Sequence, residues 1–405
     1  MQWIDYRKAQ PLGFSRDNLS VFPERAIITV SKVEQLALLE LGLAISKNPY
    51  VFAEQEAFVA SARDLAVDAL HKTTLDRIRI ELDSGFGAVL IRGLPLDARL
   101  PKTPTRGGSL SPDYKKTFVC EAMLLALGCL TGSEPFNYRQ EGRGTAPLID
   151  NVVSVRELKA VKGSGGYENN FPFHCESAWH RKRPDYLVLL GIREDPLAKT
   201  LVFSTEMFDP SIASLIDDQG DGLFQLRGPE LYEQMEENGM PLGTARYVFL
   251  NPVQRSATGI RLNINFNGTA CANRAAVKWL TKLEAFIEGK AVASVLGPGS
   301  ALILNNYHTC HTRNGFTPSF DGDGRWFLRG YFKRDLWASD PLELYSERDF
   351  SALVELGWIK ENGHLTVEFF KQIQQPELMK SLSERKAQLA AIALHFTPVT
   401  GTRIV

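Results

Sequence analysis

The chain has 405 residues and a mass of 45.2 kDa, is 44% hydrophobic and 23% charged, and sets 46 Lys+Arg against 47 Asp+Glu. A net charge of −1 and a pI near 6.7 give no field for a nucleic-acid backbone or an anionic membrane surface, and at a mean hydropathy of −0.15 no apolar run nears the ~20 residues of a membrane span. Asp5, Arg7, Lys8 and Pro11 stand where a signal peptide needs an apolar stretch, and the five scattered cysteines (Cys120, Cys129, Cys175, Cys271, Cys310) form no CxxC pair, so the expectation is a cytoplasmic protein with free thiols and neither nucleic-acid nor membrane partners.

Length allows two or three domains, but the local patterns argue for one large domain with helical additions. An amphipathic helix is expected over 30–46 with Ser31 as N-cap, and a second helical stretch over 54–82. A turn at 83–85 leads into a short buried strand within 87–93, then a Pro/Gly/Ser-rich loop over 101–113 and a third helix over 114–128. Beyond Thr131 the sequence breaks into short strands separated by turn residues: 148–155, 186–192, 200–204, 246–250, 260–266, 300–305 and 325–332, with a helical insertion over 274–289. Such a pattern suits a β-sandwich or barrel. Two further helices are expected near 369–382 and 383–394.

The chemistry concentrates in Phe171-Pro-Phe-His174-Cys175-Glu176-Ser177-Ala-Trp179-His180. On a strand His174 and Glu176 share a face and Cys175 points away. An imidazole and a carboxylate so placed can fill two adjacent metal positions, and one more histidine completes a facial triad with three positions open, as mononuclear non-haem Fe(II) oxygenases require. A second segment, Asn305-Asn306-Tyr307-His308-Thr309-Cys310-His311-Thr312-Arg313, offers His308 or His311, and a Gly-rich turn then leads to Arg325 and Arg329. A guanidinium there can grip a carboxylate with two parallel hydrogen bonds, which an ammonium cannot.

Four separated stretches carry a resemblance: 87–93 (GAVLIRG), 136–155 (FNYRQEGRGTAPLIDNVVSV), 174–190 (HCESAWHRKRPDYLVLL) and 304–329. In this order the sequence resembles the clavaminate synthase-like group of the taurine dioxygenase superfamily, Fe(II)/2-oxoglutarate oxygenases that include free arginine and asparagine β-hydroxylases. The resemblance implies an α+β, mainly β fold: a double-stranded β-helix (jelly-roll) core flanked by N-terminal, inserted and C-terminal helices. It implies one oxygenase domain over 1–338, helical to about 130 with the core from about 131, and a helical extension over 339–405 packed on that core.

Carried over by position, His174, Glu176 and His311 are the iron ligands, His311 in preference to His308. Arg325 holds the far carboxylate of 2-oxoglutarate and Thr200 assists there. Arg329 is a candidate for a substrate or cosubstrate carboxylate; Gln140 and Glu141 stand where relatives contact a substrate α-amino group, and Ser164, Gly165 and Glu168 lie in the loop before the His-x-Glu pair. Asn263 and Asn265 correspond to an acidic pair in arginine hydroxylases. Being neutral, they favour a polar, uncharged substrate end over a cationic one, unless they only close a turn. His180 is read as a pocket-wall or supporting residue, and His71, His364 and His395 as ordinary histidines. Cys175 replaces a small hydroxylic residue of the relatives; facing inward, its thiolate would compete for the metal.

The expected function is hydroxylation of an unactivated C–H bond of a free amino acid or small derivative, using Fe(II), 2-oxoglutarate and O₂ and releasing succinate and CO₂. A carboxylate in the triad favours hydroxylation over halogenation. Desaturation or cyclisation, or a sulfonate, alkyl acid or carrier-bound acyl substrate, are the alternatives within the class. Outside it stand a jelly-roll binding protein that has lost turnover and a cupin-type non-oxygenase metalloprotein.

Overall fold

A computed structural model describes residues 3–9, 20–137, 147–180, 183–227, 247–256 and 259–334. The expected extension over 339–405, with its two helices, lies outside the described residues.

The strands that frame the site are β1 (Ile27–Thr29), β2 (Ala88–Arg92), β3 (Glu134–Phe136), β4 (Asp150–Val153), β5 (Tyr186–Arg193), β6 (Thr200–Ser204), β7 (Val292–Ser294), β8 (Ala301–Asn305), β9 (Thr309–Arg313) and β10 (Trp326–Lys333). A seven-stranded major sheet runs β1-β2-β8-β5-β10-β3, with β4 also paired to β10. A minor sheet runs β9-β6-β7 and ends on Ser20–Val21. A third, four-stranded sheet (Ile4–Asp5, Thr269–Cys271, Phe224–Arg227, Tyr247–Phe249) and the hairpin Val253–Ser256/Gly259–Leu262 complete the described strands. Because β1 and β2 enter the major sheet, the N-terminal part is not only helical: it supplies one edge of the core.

Side-chain alternation separates the two faces of the major sheet. In β5, Val188, Leu190 and Ile192 join the cluster packed under the helices, whereas Leu187 and Leu189 face the opposite cluster. In β10, Trp326, Leu328 and Phe332 face the helices, and Phe327 and Tyr331 face inward. The helix Val119–Cys129 is buried along nearly its whole length against this sheet. It lies so close that a Cβ at Gly128 would sit 2.0 Å from the Phe332 ring, so only glycine fits there. Each large apolar side chain buried in this layer stabilises the fold by roughly 1.5–3 kcal/mol.

The first helix, Lys32–Ala44, starts where its sequence predicts. Ser31 accepts from the Glu34 N–H and Glu34 accepts from the Ser31 N–H, a capping box. The helical stretch expected over 54–82 is divided into three helices: Phe52–Ala62, Leu65–Ala69 and Lys72–Asp83. Leu70 and His71 adopt extended backbone at the second break, and Glu34 accepts there from the His71 N–H and the Thr74 hydroxyl, a long-range tie that local periodicity does not encode. The third helix starts at Val119, not 114, with Asp97 accepting from the Val119 and Cys120 N–H groups. The inserted helix, Arg274–Lys290, is capped by Asn273.

Candidate active site

The pocket opens between the two sheets. Val152, Leu189, Phe327 and Arg329 line it from the major sheet, and Thr200, His311, Thr312 and Arg313 from the minor one; Ser164, Phe171, His174, Glu176 and Arg325 complete the wall. The segment 171–174 runs antiparallel to β9. The Phe171 N–H donates to the Arg313 carbonyl at 2.9 Å, and the His174 and His311 N–H groups donate to each other's carbonyls at 3.0 and 2.9 Å. Two imidazoles from distant stretches are thereby set side by side, ring centroids 4.4 Å apart, with Phe171 against His174 at 4.2 Å.

The His-x-Glu pair does not lie on a full strand. His174 forms isolated bridges to His311 and Asn265, and the chain turns at Glu176. Pairing stops because the Asn306 side chain takes both backbone groups of Glu176: its Oδ1 accepts from the Glu176 N–H at 2.8 Å and its Nδ2 donates to the Glu176 carbonyl at 2.9 Å. Ser177 follows in the left-handed region at φ 47°, a conformation a serine adopts only under local constraint. His174 and Glu176 nevertheless reach the same cavity. Cys175 points away, its buried thiol donating toward the Thr309 carbonyl at 3.4 Å and the Leu262 carbonyl at 3.6 Å.

His174, Glu176 and His311 bring one ligand atom each to within 4.8 Å of one another. Glu176 Oε1 lies 3.7 Å from His174 Nε2 and 3.8 Å from His311 Nε2. The His174 Nδ1 position donates to the Pro172 carbonyl at 2.9 Å, which leaves the Nε2 lone pair aimed at the cluster. Burial opposes the Glu176 charge, but the Arg329 guanidinium and then the His174 imidazole hold the carboxyl well below the usual carboxylate range. Burial and the neighbouring His174 push His311 down to about 3, against the pull of Glu176, so its imidazole is neutral at neutral pH. Two imidazoles facing one ionised carboxylate across a shared point are a donor set suited to a divalent transition metal.

Behind this cluster Arg325 is buried and, among the described residues, has no hydrogen-bond or ion-pair partner. Its guanidinium lies over the Phe327 ring at 4.2 Å. Burial and then the Arg313 guanidinium push it well below the ordinary arginine value, with Asp195 opposing. A buried cation without a counter-ion is costly unless an anion arrives.

No family model matches this chain. The chain is 32% identical over 268 residues to the L-asparagine oxygenase of Streptomyces coelicolor, which spans 63% of this chain and 73% of that protein. It is 29% identical over 253 residues to clavaminate synthase 2 of Streptomyces clavuligerus, covering 62% and 74%. The chain belongs to the clavaminate synthase-like Fe(II)/2-oxoglutarate oxygenases. The crystal structure of asparagine oxygenase superposes with a TM-score of 0.64 at 26% identity, over 76% of this chain and 93% of that one. Another structure of that enzyme holds Fe(II), 2S,3S-3-hydroxyasparagine and succinate. Fe(II), 2-oxoglutarate and O₂ are accordingly what this oxygenase uses.

Against that background the expected residues sort as follows. His174, Glu176, His311, Thr200, Arg325, Arg329 and Ser164 share one pocket. His308 is apart from it, its Nδ1 3.5 Å from the Thr205 hydroxyl. Arg329 is engaged at 3.4 Å with Glu176 Oε1 and at 2.5 Å with Asp150 Oδ2, while its buried Nε has no partner among the described residues. Asn263 and Asn265 do not line the pocket. The strand expected over 260–266 ends at Leu262; Asn263 then donates to the Asn251 carbonyl at 2.8 Å, and Asn265 accepts from the Gly268 N–H at 3.0 Å, closing a turn. Gln140 and Glu141, like His364 and His395, lie outside the described residues. Sequence reasoning passed over Tyr331, whose hydroxyl donates to Glu176 Oε2 at 3.0 Å, and Asp150, the partner of Arg329. The period-2 step from Arg329 to Tyr331 was the available signal for the first.

Proposed function

We propose that this oxygenase hydroxylates a free L-amino acid with an uncharged polar side chain, on a double-stranded β-helix formed by the major and minor sheets. The observation that carries the reading is the convergence of His174, His311 and Glu176 on one point of a pocket whose far wall holds Arg325, which has no ion-pair partner among the described residues. When bound, Fe(II) supplies the oxidising chemistry, coupling decarboxylation of 2-oxoglutarate to succinate and CO₂ with oxidation of a C–H bond.

The protein's own residues do the rest. His174, His311 and Glu176 would hold the metal. Arg325 receives the distal carboxylate of 2-oxoglutarate, with the Thr200 hydroxyl beside it. Arg329, with a donor to spare at Nε, receives the carboxylate of the amino acid, and the apolar walls Val152, Leu189, Phe171 and Phe327 exclude water. The preference for an uncharged side chain follows from charge. Among the described lining residues Glu176 is the one carboxylate, and nearby Asp150 is already paired to Arg329, so a cationic substrate end finds no counter-ion among the described residues. The 32% identity to an L-asparagine oxygenase points the same way.

The test is anaerobic reconstitution with Fe(II), then O₂ and 2-oxoglutarate with a panel of amino acids, following succinate release and the mass of the product. Substrate-stimulated succinate with asparagine- or glutamine-like substrates, and a product heavier by one oxygen, support the reading. Preferential turnover of arginine, ornithine or lysine overturns the side-chain assignment, and a product lighter by two hydrogens replaces hydroxylation with desaturation.

A further inference from the structure

Glu176 is restrained at more points than an ordinary buried carboxylate. Asn306 fixes its peptide from both sides, Oε1 faces the two imidazoles, and Oε2 accepts from the buried Tyr331 hydroxyl at 3.0 Å. With the backbone clamped, the freedom left to the side chain is rotation about its own bonds, one more than an aspartate would have. The phenol removes it. Tyr331 is itself well placed for this: it stands two residues beyond Arg329 on the inward face of β10, its ring 6.3 Å from Phe136 and 5.2 Å from the Arg329 guanidinium carbon.

We propose that Tyr331 is a positioning residue that makes Glu176 a one-oxygen ligand by keeping Oε2 turned away from the two imidazoles. The proposal rests on the Fe(II)/2-oxoglutarate reading and goes beyond it. In a six-coordinate shell, two imidazoles and one carboxylate oxygen leave three positions, which a chelating keto acid and O₂ together need. A carboxylate gripping through both oxygens leaves two, and the keto acid alone fills them. A glutamate ligand on an untethered chain can swing into that second mode. A phenol that claims Oε2 prevents it without adding a charge to the site.

The experiment compares the full-length wild type with Tyr331→Phe, which keeps the ring and removes the O–H. Anaerobic titrations follow Co(II) binding by its visible d–d spectrum, and 2-oxoglutarate binding to the Fe(II) form by its charge-transfer absorption. The expected result is metal affinity retained within about threefold, a Co(II) spectrum shifted toward higher coordination before any cosubstrate is added, and 2-oxoglutarate binding weakened about tenfold or more. Phe136→Leu, which disturbs the packing of the ring but leaves its hydroxyl, is expected to titrate like the wild type. Unchanged spectra and cosubstrate affinity in Tyr331→Phe overturn the proposal, as do equal defects in the two variants. If the wild-type Fe(II) protein gives no charge-transfer band with 2-oxoglutarate, the parent reading fails, while the Co(II) spectra still decide the role of Tyr331.

Discussion

The His174 N–H donates to the His311 carbonyl at 3.0 Å, and the His311 N–H returns the bond at 2.9 Å. The two imidazoles are therefore positioned by backbone, not by the metal, and removing one side chain leaves the pairing intact. His311→Ala is expected to keep its thermal transition within a few degrees while losing Co(II) binding in calorimetry and 2-oxoglutarate-dependent succinate formation. His308→Ala, outside the cluster, is expected to bind Co(II) like the wild type. The reverse pattern would move the third ligand to His308.

Arg325 gives a sharper kinetic prediction. Its buried guanidinium has no ion-pair partner among the described residues, so the carboxylate it receives is desolvated and, in Arg325→Ala, is left unpaired at a cost of about 3 kcal/mol, or about 100-fold in kcat/KM for 2-oxoglutarate. Arg325→Lys is expected to recover only part of this, since an ammonium cannot reproduce two parallel hydrogen bonds. Steady-state kinetics with 2-oxoglutarate varied will show it. An unchanged KM in both variants would place the cosubstrate elsewhere.

The sequence made the local and repetitive features legible. Turn residues bracketing short apolar runs mark β5, β6, β8 and β10 nearly to their ends, Ser31 and Glu34 mark a helix start, and His-x-Glu with a later histidine and arginine marks the pocket. What it hid depends on contacts between distant segments. The break at His71 is stabilised by Glu34, the early end of pairing at Glu176 by Asn306, and the turn at Asn265 by its own amide, which withdraws that residue from the pocket. The third sheet joins Thr269–Cys271 to Phe224–Arg227 on one side and to Ile4–Asp5 on the other, short strands with too few residues for a period to emerge.

Cys175 lies between two proposed ligands in sequence yet faces the apolar cluster behind them, with its thiol toward two carbonyls. Burial holds that thiol above its ordinary value, so it remains protonated and does not compete for metal. Cys175→Ser keeps a donor toward the same carbonyls. It is expected to retain metal affinity and kcat within about twofold and to change stability by less than about 1 kcal/mol. Loss of metal binding in this variant would show that the thiol faces the site.

Glu34 provides a pH signature. Although burial opposes it, hydrogen bonds from the Ser31 and His71 N–H groups and the Thr74 hydroxyl hold its carboxyl down to about 2 in the folded protein. In the unfolded chain the ordinary carboxylate value applies, so as pH falls the unfolded state takes up the proton first. The stabilisation is thus complete above about pH 4.5 and is lost as pH falls toward 2. Glu34→Gln is expected to lower unfolding free energy by about 1–2 kcal/mol at pH 7 and to narrow that deficit between pH 4.5 and 2.5. Urea midpoints at both ends of the window would measure it; a pH-independent deficit would refute the ionic origin.

The most demanding test concerns a charge network with no exposure at all. Lys115 Nζ donates to Asp97 Oδ2 at 2.7 Å and to both Glu121 oxygens at 2.7 and 2.8 Å, with all three side chains fully buried. Glu121 also accepts from the Tyr50 hydroxyl, which accepts from Asn151 Nδ2, and Asn151 Oδ1 accepts from the Trp326 indole, next to Arg325. Burial works against the Lys115 charge, but Glu121 and Asp97 outweigh it. Lys115→Met strands two carboxylates in the core and is expected to cost about 3–5 kcal/mol, read as a lowered urea midpoint. Adding Glu121→Gln and Asp97→Asn, which keep an acceptor for the Tyr50 hydroxyl and one for the helix N-terminus, removes the stranded charge. The triple variant is expected to be more stable than Lys115→Met, which no model of lost packing at Lys115 alone predicts; a further drop in stability would show that shape and not charge governs this part of the core.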